Sequence, residues 1–281
     1  MAIHPQPNSW ECGPFALAYA LLALGIFEDA RRLSRVAGTN RDGTDEVGLG
    51  RAAKAAGCEL LVVRHHAAED ARRDLEDHLD RGVPVLLCVN SWNHWITALH
   101  RDGGDVVVFD SRDAAVARVL PWTALRPWWR YHDEDEPDPV RRLVYDLHPV
   151  VPRSVLTRPA RLTIARARHL RHEGQAALRR SWSAVAKGLF AVAPPAGAQF
   201  DAFTVSLATV LERQRRAILR HVAWRHRGVD ADAAARLVDQ CRFVAGTYGL
   251  ELPVDEEIAA VPAVAALVGR WITARRDGAA A

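Results

Sequence analysis

The apolar run from Pro14 to Phe27 is the longest in the chain and predicts a buried helix. Ala30–Ala37 alternates arginines with apolar positions and predicts a short exposed helix. Val47, Leu49, Ala53 and Ala56 recur at helical spacing, and Gly57 ends that stretch. Glu59–Arg64 is short and β-prone. Ala68–Arg81 is amphipathic, with Leu75 and Leu79 inward and Gly82 as its stop. Val83–Val89 is a compact apolar run, read as a buried strand. Trp95–His100 and Val106–Asp110 flank Arg101-Asp102-Gly103-Gly104-Asp105, a hairpin signal, and Val140–Leu147 predicts a last strand. Helices first and strands afterwards make an α+β domain.

From about Pro159 onward the pattern is helical only. Leu178, Trp182, Val185 and Leu189 share one face. Phe203, Leu207, Val210, Leu211, Ile218 and Val222 form a second stripe, and Leu237, Val238, Cys241, Val244 and Tyr248 a third. Ile258 through Ile272 predicts a fourth, interrupted by Pro262. Breaks at Pro194-Pro195, Gly228 and Pro253 separate the stripes, so an all-α bundle of four or five helices is expected. The acidic segment 133–139 reads as a surface loop. Pro149, Pro152 and Pro159 read as a linker, which puts one domain at 1–150 and a second at 151–281.

Charge sharpens that division. The net +3 over 281 residues divides into 17 Lys/Arg against 23 Asp/Glu in residues 1–150 and 20 against 11 beyond. Such an asymmetry points to different partners for the two halves. The four cysteines, Cys12, Cys58, Cys88 and Cys241, are widely spaced with no CxxC pair, which argues against a disulfide framework or a thiolate zinc site. The run Pro14–Phe27 is too short for a bilayer, and Glu11 precedes it without a basic region, so the chain is read as soluble and cytoplasmic.

The candidate chemistry begins at Cys12-Gly13-Pro14. Proline suits a first helical turn, so Cys12 falls at a helix N-terminus. Unpaired amides and the helix dipole there favour a thiolate, the nucleophilic form. A buried structural cysteine is the alternative at equal weight. His94 opens one hairpin strand and Asp110 closes the next. With a three-residue turn Arg101-Asp102-Gly103, His100 pairs with Gly104, and His94 lies opposite Asp110 on one face. One more loop residue puts them on opposite faces unless a bulge intervenes. A surface hairpin with an incidental His and Asp is the competing reading.

Taken together these segments resemble the bacteriocin-processing, double-glycine leader peptidases, a family of papain-like cysteine peptidases. The resemblance rests on Gln6 six residues before Cys12, on Cys12-Gly13-Pro14, and on His94 with Asp110 sixteen residues later. Asp42-Gly43-Thr44, followed by Val47-Gly48-Leu49 and Ala52 to Gly57, matches as well. It covers roughly residues 1–130 and implies a papain-like peptidase domain without cofactor or metal. Cys12 is then the nucleophile, His94 the general base and acid, and Asp110 the group that orients His94. Gln6 and the Cys12 N–H form an oxyanion hole. The implied substrate is a peptide or protein.

The chain departs from the family in three ways. Ser111 follows Asp110 where relatives usually have proline, no transmembrane helix is evident, and the helical half matches nothing in the family. The same residues also suit acyl transfer or glutamine deamidation, or a catalytically silent binding module. Trp92, Trp95, Trp122, Trp128 and Trp129 are candidates for a peptide groove, with core packing the commoner fate. His65-His66 near Cys58 lacks further metal ligands at usual spacing. The arginine clusters of the second half (Arg161 to Arg180 and Arg213 to Arg227) read first as a solvated surface. Docking of an acidic protein comes second. A nucleic-acid partner comes last, for want of any recognised motif.

Overall fold

The first apolar run folds as α1 (Cys12–Ala23), and every residue of it is buried. A helix apolar on all sides belongs inside a core, and burying side chains such as Leu17, Leu21 and Leu22 stabilises the fold by about 2 kcal/mol each. The structure, a computed structural model, describes residues 2–153, 157–193 and 203–278. The chain divides into two units, Met1–Ser181 and Trp182–Ala281.

In the first unit α1 is followed by α2 (Ala30–Ala37), α3 (Glu46–Ala55), β1 (Cys58–Leu60), β2 (Val63–His65) and α4 (Ala68–Asp80). Then come β3 (Val85–Val89), β4 (His94–Asp102), β5 (Asp105–Phe109), β6 (Ala117–Pro121), α5 (Trp122–Trp129), β7 (Tyr131–His132), β8 (Leu143–Pro152) and α6 (Ile164–Arg171). The strands form one antiparallel sheet in the order β1-β8-β3-β4-β5-β6, with β2 and β7 also paired to β8. On one face Ile96, Ala98, Val106 and Val108 pack with Leu75 and Leu79 of α4 and Trp129 of α5. On the other, the Thr97 hydroxyl donates to the Ala16 carbonyl at 2.7 Å and Tyr19 meets Phe109 edge-on, which seats α1 on the sheet. The expected α+β class is therefore present, with helices on both faces of an antiparallel sheet.

Three expectations about this unit need correction. Pro149 and Pro152 lie within β8, not in a linker. Their missing N–H groups still leave carbonyl acceptors, and Pro149 accepts from the Leu61 N–H at 3.0 Å. The division between units also comes later than 150/151. The N–H groups of Arg158 and Ala160 donate to the carbonyls of Leu24 and Ala23, and α6 packs on β6, so this stretch stays with the first unit.

The hairpin register is also different from the expected one. The turn is the two residues Gly103-Gly104, with Asp102 opposite Asp105 and His100 opposite Val107. Gly103, at φ 58°, supplies the backbone that so tight a turn needs. Continued straight, that register puts His94 and Asp110 on opposite faces. A bulge at Leu99 shifts the pairing to Ala98 opposite Val108 and Thr97 opposite Phe109. The extra residue returns the two side chains to one face.

The second unit contains the end of α7 (Ala176–Val192), then β9 (Thr204–Ser206), α8 (Leu207–Arg213), α9 (Arg215–Arg225), α10 (Ala231–Tyr248), β10 (Glu251–Pro253) and α11 (Glu257–Gly278). Trp182, on α7, donates its indole N–H to the Tyr248 hydroxyl at 3.0 Å inside the bundle. The bundle is not purely helical, because β9 pairs with β10 antiparallel. Phe203 precedes β9 and is exposed, so it does not belong to the apolar stripe assigned to it. Pro262 does not interrupt α11. The expected break at Pro194-Pro195 lies outside the described residues.

Two glycines of α3 give opposite expectations. A Cβ on Gly48 comes within 2.5 Å of the Ala37 carbonyl oxygen, whereas one on Gly50 meets nothing within 4 Å. Gly48→Ala therefore destabilises the first unit by about 1–3 kcal/mol by forcing α2 from α3. Gly50→Ala leaves stability unchanged or raises it by up to about 1 kcal/mol through helix propensity. Urea unfolding of the two variants checks both signs.

Candidate active site

Cys12 is the first residue of α1, and the turn before it is built by Asn8. The Asn8 side-chain oxygen accepts from the N–H groups of Trp10 and Glu11 at 3.2 and 3.1 Å, and its amide donates to the Glu11 carboxylate at 2.9 Å. The next residue must be small. A Cβ on Gly13 stands 3.2–3.3 Å from Thr44, Leu49 and Trp95 at once. The Asp42-Gly43-Thr44 segment and β4 thus close on the helix N-terminus. Cys12 is 5% exposed.

His94 is the first residue of β4, opposite Val89. The loop that delivers it is strained. Asn90, Ser91 and Trp92 all have left-handed φ, at 55°, 52° and 60°. Such backbone costs about 1–3 kcal/mol per residue and persists only where its surroundings hold it. Here the Asn90 N–H donates to the Trp128 carbonyl, the Asn93 amide donates to the carbonyls of Asn90 and Ser91, and Trp92 stacks on Tyr131 at 3.9 Å.

His94 Nε2 and Asp110 Oδ1 are 2.7 Å apart, with the two residues 1% and 4% exposed. Asp110 also accepts from the Arg112 N–H at 2.9 Å and from the Arg118 guanidinium at 2.9 Å. Burial alone pushes the Asp110 carboxyl up, but the bond to His94, the Arg112 N–H, the charge of His94 and the bond from Arg118 hold it down at about 2. Arg118 in turn lies over the Trp128 ring at 5.2 Å, and Trp128 flanks the imidazole with ring centroids 6.4 Å apart.

With Nε2 engaged, Nδ1 is the nitrogen left for the thiol. It has no well-formed hydrogen bond, yet the two groups stand close enough to shift each other's protonation. For Cys12, burial works upward, and the interaction with the imidazole, the Trp95 backbone and the charges of His94 and Arg112 outweigh it, so the thiol lies below its ordinary value. For His94, burial works downward, and the carboxylate of Asp110 together with Cys12 outweighs it, so the imidazole lies above its ordinary value. Both shifts favour a thiolate–imidazolium pair. The other cysteines go the opposite way: burial pushes Cys58 up to about 11, and Cys88 and Cys241 up to about 12.

Gln6 lies beside this group but does not bind Cys12. Its side-chain amide donates to the Asn8 carbonyl at 2.5 Å, its oxygen accepts from the Ser111 hydroxyl, and its N–H donates to the Ser111 carbonyl at 2.9 Å. Ser111, 1% exposed and next in the chain to Asp110, therefore ties Gln6 to this group. Ser111, Arg112, Arg118 and Trp128 complete the surroundings of the pair. Apart from Ser111 and Trp128, sequence reasoning missed them, because an arginine on β6 carries no local signal that it faces Asp110. Of the remaining candidates, Trp129 is core, and His65 pairs with Asp74 at 2.9 Å. Among the described residues, no three His, Cys, Asp or Glu side chains are grouped so as to hold a metal ion. No helix among them is long and apolar enough to cross a membrane.

No protein-family model matches the chain, and no curated protein matches it. Among solved structures, the chain is similar to the peptidase domain of Streptococcus ComA, described as a bi-functional ABC transporter involved in quorum sensing. The identity is 19% and the TM-score 0.41, over 54% of this chain and 98% of that one. It is similar as well to a double glycine motif protease from an AMS/PCAT transporter in complex with the leader peptide, at 17% identity and a TM-score of 0.38, over 52% and 90%. A third is the peptidase domain of Streptococcus mutans ComA, at 17% identity and a TM-score of 0.36, over 54% and 100%.

Iodoacetamide at pH 6–7 is expected to alkylate Cys12 and spare Cys58, Cys88 and Cys241 until the chain is unfolded, as read by peptide mass spectrometry. The alkylation rate plotted against pH rises at acid pH, where the thiolate of the pair forms. Asp110→Asn removes the carboxylate that raises His94. It therefore moves the pH at which the imidazolium is lost downward, and a second, alkaline change in rate appears earlier than in the wild type.

Proposed function

We propose that the first unit is a cysteine peptidase that cuts a peptide or protein substrate through an acyl-enzyme. The observation that carries this reading is the chain of interactions from the lowered Cys12 thiol, through His94, to an Asp110 carboxylate that stays ionised. A thiolate at a helix N-terminus attacks the scissile carbonyl carbon, and electrons move onto the carbonyl oxygen. The Cys12 N–H, at the helix start where amides lack intrahelical partners, is one donor for that oxyanion. The Gln6 amide becomes the second once a substrate oxygen replaces the Asn8 carbonyl. A preorganised donor of this kind contributes about 3 kcal/mol to the transition state.

His94 then gives its proton to the departing amine. A water, deprotonated by His94, attacks the thioester and returns the thiolate. Asp110 holds the ring throughout and balances its positive charge. Arg118 and the Arg112 N–H keep that carboxylate in place when the ring changes charge. The second unit is assigned to binding the substrate or an acidic partner. Arg213 and Arg215 are engaged with Glu257 and Asp239, so the exposed arginines of α9 are the groups offered for it.

Cys12→Ala and His94→Ala are each expected to reduce cleavage at least about 1,000-fold with the unfolding midpoint of the first unit nearly unchanged, since Asp110 keeps all three donors in the first variant and the Arg112 N–H and Arg118 in the second. Mass spectrometry of a reacted substrate reads the chemistry. Two fragments that sum to the substrate plus water agree with hydrolysis. An added group or a one-dalton rise assigns the same thiolate to acyl transfer or deamidation instead. Ser111→Ala removes the hydroxyl that holds the Gln6 side-chain oxygen, so the amide is no longer oriented, and is expected to lower kcat about tenfold with little change in KM.

A further inference from the structure

A second feature adjoins the thiol. A pocket of about 430 Å³ opens between the Asp42–Glu46 segment, β8 and the loop before β4. Trp95 forms the wall between the two sites: its ring packs against Gly13, next to the thiol, while it lines the pocket and its indole N–H donates to the Thr44 carbonyl at 3.0 Å. The pocket therefore lies one side chain away from the sulfur.

Its lining is acidic. Asp42, Asp45, Glu46 and Asp146 stand against Arg51 and Arg64. Most of these are engaged locally. Asp146 binds Arg64 through two hydrogen bonds at 2.7 and 3.1 Å, Asp45 caps α3 at the Gly48 N–H, and Arg51 donates to the Ala37 carbonyl. Asp42 and Glu46 form no ion pair among the described residues, although Glu46 lies within the field of Arg64. A separate observation comes from the floor. His148 lines the pocket, is 2% exposed, and neither ring nitrogen has a hydrogen-bond partner. A buried polar group without a partner is costly unless something supplies one. Burial also keeps its imidazole neutral, so one ring nitrogen is an acceptor. Trp95 meets the His148 ring edge-on at 4.9 Å and offers an aromatic wall.

A neutral acceptor at the bottom, free carboxylates at the rim and an indole wall are complementary to an organic cation. These donors are not grouped closely enough to grip a metal ion, which favours an extended ammonium or guanidinium. We propose that this pocket receives the side chain of an arginine or lysine of the substrate, close to the bond that Cys12 attacks. The assignment names the substrate class of the peptidase read above and rests on that reading.

The test is read by retention rather than by cutting. A random octapeptide library is passed over immobilised full-length Cys12→Ala protein, and the retained peptides are sequenced. Arginine and lysine are expected to be enriched roughly fivefold or more over norleucine and glutamate. Glu46→Gln with Asp42→Asn abolishes the enrichment, and Glu69→Gln, a carboxylate of α4 outside the pocket, leaves it intact. Enrichment of acidic or apolar residues, no enrichment, or enrichment that survives Glu46→Gln with Asp42→Asn overturns the proposal. An unreactive Cys12 sinks the peptidase reading and leaves this result standing, so the two failures are distinguishable.

Discussion

One imidazole holds this site together. His94 is gripped at Nε2 by a buried carboxylate and leaves Nδ1 to the thiol at the start of α1. A charged pair of this kind is stable inside a protein only when its members are fixed and their remaining hydrogen-bonding capacity is met. The surroundings fix both members from several directions. Asp110 has three donors, the strained loop before His94 is pinned by Trp128, Asn93 and Tyr131, and α1 is immobilised by burial on all sides. Backbone strain at Asn90–Trp92 and the bulge at Leu99 follow from the same demand, because both aim one ring at two partners.

The N-terminal arm takes part in that arrangement. Ile3 to Gln6 lies along the first unit, with the Ile3 N–H donating to the Arg179 carbonyl and the Tyr19 hydroxyl donating to the His4 carbonyl. Gln6 is thereby delivered next to Ser111. Serine at that place is a departure from the proline expected of the resembling peptidases, and it has a physical use: its hydroxyl holds Gln6. The segment Asp42–Glu46 serves two sides in the same way. Thr44 abuts Gly13 at the thiol, and Asp42 and Glu46 rim the neighbouring pocket.

Much of this was readable from the chain before folding, and the omissions have definite causes. The helices from α1 to α4 and the strands β3 to β5 carried strong periodicity, and their boundaries moved by only a few residues. β6, β7 and α5 were missed because Ala114–Tyr131 has neither clean alternation nor helical spacing; its apolar residues are spread by Pro121 and Pro127. Pro149 and Pro152 hid the end of β8. His94 and Asp110 were correctly paired through an incorrect register. The expected three-residue turn and the observed two-residue turn with a bulge both return the residues to one face, and only the sheet itself distinguishes them. The roles of Arg112 and Arg118 depend on contacts across strands, which spacing along a chain does not encode. His148 gave no signal at all, since nothing in its neighbourhood marks a histidine whose ring stays unpaired.

The most direct measurement of the central claim is the charge on the His94 ring, read by ¹⁵N NMR of the imidazole at neutral pH in the intact protein and in Cys12→Ala. The account predicts an imidazolium in the intact protein, protonated on both nitrogens, with a downfield Nε2 proton shared with Asp110, and a ring that titrates at lower pH once the sulfur is removed. A neutral ring in the intact protein whose titration is indifferent to Cys12 would contradict it.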